Sequence, residues 1–132
     1  MLRKKVLVCI TPQSNSRRLI ECGAEIAGGE PAELHVLHVT RGNNILKGDK
    51  TAELLQQLFS YATQFGGIVH GVCGENITAT IISFIRKEMI TDLVLGEHSE
   101  SYKAQTDDIT ALITEKLPYI RISILSPVSN TP

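Results

Sequence analysis

A chain of 132 residues, 42% hydrophobic and 20% charged, is long enough to bury one core and too short for two, and this balance gives no reason to expect disorder. Thirteen basic residues against fourteen acidic ones leave a net charge of −1, which excludes a sequence-wide attraction to nucleic acid or anionic lipid. No apolar run approaches the roughly 20 residues of a membrane-spanning helix, so the expectation is one cytoplasmic domain over residues 1–127, without membrane insertion, followed by a polar tail at 128–132.

Lys5 to Ile10 is a β-branched apolar run ended by Thr11-Pro12, as in a strand buried on both faces. Ser14, Asn15 or Ser16 then caps a helix carrying Leu19, Ile20, Gly23, Ile26 and Ala27 on one face, closed by Gly28-Gly29. Leu34 to Val39 reads as the second strand, with Arg41-Gly42-Asn43-Asn44 as its polar exit. From Thr51 to Phe65, the residues Leu54, Leu55, Leu58, Tyr61, Ala62 and Phe65 form a helical stripe stopped by Gly66-Gly67. Ile68 to Cys73 is the third strand, weakened by Gly71.

Asn76 caps a third helix with Ile77, Ile81, Ile82, Ile85 and Met89 on its apolar face, and Asp92 to Gly96 is the fourth strand. Thr106 caps a fourth helix with Ile109, Leu112, Ile113 and Lys116, which Pro118 forbids from continuing. Ile120 to Leu125 is the last strand. Strands alternating with helices in this way imply an α/β fold, a parallel sheet with helices on both faces, because each parallel connection needs a right-handed crossover. Ligands bind such sheets at the C-terminal strand ends, where the strand order reverses. The exits Thr11 to Ser16 and Gly96 to Thr110 are therefore expected to line one crevice.

Lys5-Val6-Leu7-Val8-Cys9-Ile10 with Thr11-Pro12 and a serine-bearing turn, and the block from Gly74-Glu75-Asn76 to Asp92-Leu93-Val94-Leu95-Gly96, resemble the universal stress domain of Kdp-type potassium-sensing histidine kinases. Leu37-His38-Val39 is similar to the second-strand ending of the wider universal stress protein family. The resemblance implies a five-stranded parallel sheet ordered 3-2-1-4-5, of the Rossmann-like adenine nucleotide alpha hydrolase type. It also implies a homodimer and, in ATP-binding members, a nucleotide between the ends of strands 1 and 4. Those members carry an aspartate where this chain has Thr11. They also carry Gly-x-x-Gly, nine residues, then Gly-Ser or Gly-Thr; here Gly96 and Thr110 match, while Ser99 and Ile109 replace the other glycines.

A cradle glycine lets backbone N–H groups approach a phosphate with no Cβ in the way. Ile109 fills that space, and its spacing with Leu112 and Ile113 makes it a core residue instead. Asp107 and Asp108 suit the first turn of a helix, where carboxylates complement the dipole. A phosphate about 5 Å from one such carboxylate meets repulsion of roughly 3 kcal/mol at an effective dielectric near 20.

Competing architectures lack their signatures. A receiver domain needs acidic residues at the first strand's exit and a lysine ending the fifth, where this chain has Thr11 and Leu125-Ser126; Thr11 to Ser16 contains no dinucleotide-binding glycine. Cys9, Cys22 and Cys73 are odd in number and far apart, unlike a disulfide or zinc framework, and read as buried free thiols. His35 and His38, three apart on a strand, point to opposite faces and do not chelate together; with His70 they read as satisfied structural histidines. His98 sits at a strand exit beside Glu97 and Ser99 and is a candidate ligand contact. Arg17 and Arg18 either reach an anion in the crevice or form a solvated basic face.

The ligand-contacting candidates are thus Thr11, Ser14, Ser16, Val39, Gly96, His98, Ser99 and Thr110, Val39 entering through the family resemblance. No catalytic constellation or metal set emerges, and no cofactor is expected. The favoured reading is a non-catalytic regulatory module with a degenerate ATP loop, dimeric through its last strand. Its alternative is a nucleotide-binding protein that takes ATP or another small anionic ligand in a modified pocket.

Overall fold

Val6, Leu7 and Val8 are all fully buried, which consecutive strand residues achieve only when both faces of their sheet are covered. They belong to β1 (Lys4–Cys9) in the computed structural model of the protein, which describes residues 4–10, 16–28, 32–41, 49–96 and 109–125. The elements that follow are α1 (Ser16–Ala27), β2 (Ala32–Arg41), α2 (Asp49–Gln64), β3 (Ile68–Gly74), α3 (Ile77–Glu88) and β4 (Asp92–Gly96). A helix α4, described over residues 109–116, leads to β5 (Arg121–Leu125). The five strands form one parallel sheet in the order β3-β2-β1-β4-β5, as the resemblance implied.

Alternation along each strand builds two cores. Val6, Val8, Leu34, Val36 and Val94 meet Leu19 and Ile20 of α1 and Leu55, Leu58 and Ala62 of α2. On the other face Leu7, Leu37, Leu93 and Leu95 meet Ile81, Ile82 and Ile85 of α3 and Ile113 of α4. β1 is central and β4 lies on its far side from β2, so the winding reverses between β1 and β4. α1 lies close on the sheet at Gly23, where a Cβ would collide with Val8.

Several sequence expectations need correction. Strand β3 is continuous through Gly71, which faces open space and has no packing to lose. Arg41 belongs to β2, paired with Gly74, and is not part of the exit loop. Ser16 is the first residue inside α1; Ser14, Asn15 and Thr106, the other proposed caps, lie outside the described residues. Met89, Leu112 and Phe65, placed on apolar stripes by their spacing, are exposed. Met89 ends α3 in a left-handed conformation that swings it outward, Leu112 points away from the core that buries Ile113, and Phe65 falls just beyond α2. Cys73 is exposed on the edge strand, so the buried-thiol reading does not hold for it.

Candidate functional site

At the reversal point the chain leaves β1 through Ile10, whose N–H donates to the Leu37 carbonyl at 2.9 Å. His38 Nδ1–H donates in turn to the Ile10 carbonyl at 3.1 Å, so this histidine fixes the exit of β1. Across the reversal, Gly96 ends β4 against α1: a Cβ on it would lie 3.1 Å from Leu19 Cδ1. Ser16, one turn before Leu19, is buried at the start of α1. Ser16 and Gly96 are thereby brought to one side of the sheet.

Val39, half-buried near the end of β2, packs on the opposite face against the α3 and α4 core, and so does Ile109. Thr110 is half-buried beside Ile109 in α4. Thr11, Ser14, His98 and Ser99 lie outside the described residues, as do Asp107 and Asp108. Of the candidates that are described, Ser16 and Gly96 therefore share one face of the sheet and Val39 the other.

Of the two basic residues of α1, Arg17 is engaged with α2. Arg17 stacks over the Tyr61 ring of α2, 4.9 Å from its centroid, and the Tyr61 hydroxyl donates to the Glu21 carboxylate. That hydrogen bond, then burial, raises the Tyr61 pKa above its usual range. At the end of β1 the Cys9 thiol is pushed up to about 12 by burial, so it stays protonated and is no nucleophile near neutral pH. Burial, then the charge of Glu25, also raises the Cys22 thiol. Among the described residues no group of three or more His, Cys, Asp or Glu is placed to hold a metal ion.

A second polar cluster lies on the α3 face, away from the crevice, and within-strand spacing did not reveal it. His35 Nδ1 is 3.0 Å from His70 Nε2, and His35 Nε2 is 3.0 Å from Glu33 Oε1. Lys5 Nζ lies 3.8 Å from the same Glu33 oxygen and donates to the Glu88 carbonyl at 3.1 Å. Phe84 meets both imidazoles edge to face. The available signal was parity: His35 shares a face with Leu37, and Leu37 pairs with His70.

No family model matches the chain. Its sequence is 31% identical over 106 residues to the sensor protein KdpD of Mycobacterium tuberculosis, a match covering 80% of this chain and 12% of that protein. Its fold matches a universal stress protein solved in complex with cAMP, with a TM-score of 0.67 at 15% identity, over 95% of this chain and 98% of the other. A universal stress protein from Archaeoglobus fulgidus in complex with dAMP gives a TM-score of 0.65 at 16% identity, over 96% and 98%. No helix among the described residues is long and apolar enough to cross a membrane.

Proposed function

Because this chain is a domain of the universal stress protein fold, similar in sequence to the Usp domain of the KdpD sensor protein, we infer that it is a non-catalytic signalling module with a degenerate ATP-binding loop. The observation that carries this reading is Ile109. It packs against the core of Leu7, Leu37 and Ile113, at the position where ATP-binding members have a cradle glycine. A side chain committed to that core does the work of packing α4 where a cradle glycine would leave its backbone N–H open to a phosphate. Gly96 supports the same reading, since its contact with Leu19 gives it a packing role that needs no phosphate.

As part of a larger sensor, such a module transmits a signal through contacts instead of turning over a substrate. Its partners in this reading are a second copy across β5 and a small anionic ligand at the crevice, with no nucleic acid involved. Cytoplasmic residence belongs to the same reading. The solved neighbours bound to cAMP and dAMP favour one specific alternative, an adenine mononucleotide held by Ser16, Gly96 and Thr110 together with Thr11, Ser14, Val39, His98 and Ser99. A single phosphate makes smaller demands on a glycine cradle than a triphosphate does.

Isothermal calorimetry with ATP, AMP, cAMP and cyclic dinucleotides, with and without magnesium, tests both readings. No heat with ATP is the expected result. Micromolar ATP binding would overturn the degenerate-loop reading, whereas binding confined to AMP or cAMP would select the mononucleotide alternative.

A further inference from the structure

His35 and His70 lie on neighbouring strands as diagonal neighbours, since the register partner of His35 is Ile68. Their facing nitrogens, 3.0 Å apart, can share only one hydrogen. Glu33 decides which ring supplies it. An ionised carboxylate only accepts, so His35 Nε2, 3.0 Å from Glu33 Oε1, carries a hydrogen. A neutral His35 then has its lone pair on Nδ1, and His70 Nε2–H donates to it. The whole array runs in one direction, from His70 through His35 to Glu33.

This arrangement responds differently to its first and second protons. The remaining lone pair of the two rings is His70 Nδ1, and a proton added there leaves the His70 to His35 hydrogen bond in place. A second proton leaves both facing nitrogens carrying hydrogen, which sets N–H against N–H and cation against cation at that 3.0 Å contact. His35 is 3% exposed, so water cannot screen the pair from its side.

The mechanical position is equally specific. Among the described residues β3 is an edge strand paired with β2 alone, and the histidine pair joins these two strands on the α3 face. Phe84 of α3 lies 5.9 Å from the His35 ring and 4.7 Å from the His70 ring, centroid to centroid, so α3 packs on the same joint. We propose that His35 and His70 form a two-proton latch, which keeps edge strand β3 seated through the first protonation and loosens it from β2 and α3 on the second.

Charges around the latch come from three elements. Glu33 of β2 and Glu88 of α3 favour a protonated pair; Lys5 of β1, which shares Glu33 with His35, and Lys87 of α3 oppose it. Burial, then repulsion from a charged His35, pushes His70 below the usual imidazole range, so whichever ring takes the first proton, the pair resists the second. A base whose folded pKa is depressed contributes stability that is present above its unfolded pKa, about 6.5, and is lost as pH falls below that value.

The test is urea unfolding of the full chain and its His70→Gln variant between about pH 7.5 and about pH 5. The glutamine amide still donates to His35 Nδ1 but does not titrate. The wild-type unfolding constant is expected to rise with acid more than the variant's, by about tenfold for each unit of depression. Amide protection in β3 is expected to fall before that of β1. Identical pH profiles, or β3 protection that tracks β1, would overturn the latch. Should the variant fail to fold, nitrogen-15 imidazole spectra of the wild type decide: an unprotonated His35 Nδ1 and a two-step coupled titration are expected, and two independent one-step titrations would refute it.

Discussion

Met89 stands at φ 59 and ψ 47, a left-handed conformation held by its N–H donating to the Ile85 carbonyl, with its side chain 70% exposed. Its Cβ crowds its own backbone at a cost of roughly 1–2 kcal/mol, while a glycine would surrender part of that gain through a freer unfolded chain. Met89→Gly is expected to raise stability by about 0.5–1 kcal/mol, read as a higher urea midpoint at unchanged slope. An unchanged or lower midpoint would mean that the methionine makes a compensating contact. Periodicity assigned Met89 to the buried face because it assumed that the helix continued, and one left-handed residue reverses that assignment. The histidine pair escaped for a different reason. His35 and His38 could be separated within one strand by parity alone, but joining His35 to His70 needs the β2 to β3 register, which depends on a partner 35 residues away.

Both ends of α3 are local in origin. The Asn76 side chain accepts from the Ala79 N–H at 2.9 Å, and Arg86 and Lys87 in the last turn complement the helix dipole. Asn76→Ala is expected to cost about 1 kcal/mol in thermal or urea unfolding, and a loss within error would show that solvent replaces the cap. Because capping involves neighbours in sequence, this start was legible from Asn76 alone. Strand ends were less so. β2 extends from Ala32 to Arg41 because its ladder with β3 continues to the Arg41 and Gly74 pair, beyond the apolar residues 34–39 that marked it. Helix α4 shows both outcomes, with Ile113 buried as its spacing predicts and Leu112 turned outward.

For the whole molecule, alternation of short apolar runs with helical periods was enough to imply a parallel sheet covered on both faces, while the strand order came through the family resemblance. Half of the candidate site rests on described residues, and there the sequence identified the reversal point but not the Gly96 contact with Leu19. The order β3-β2-β1-β4-β5 makes β3 and β5 the edges of the sheet among the described residues. At β5, Ile124 is 42% exposed, and Tyr119 just before the strand is 61% exposed, apolar area that a second copy of the chain would cover. Light scattering is expected to show a dimer that Ile124→Lys converts to a folded monomer. A wild-type monomer at high concentration would remove the proposed interface.

Gly96 has a consequence for how such loops are interpreted from one chain to the next. A side chain at that position would press on the Leu19 side chain, which would have to give by a few tenths of an ångström, so the preference for a small residue there comes from helix α1. A glycine at this place is thus no record of a phosphate by itself; it marks how closely a helix lies on a strand.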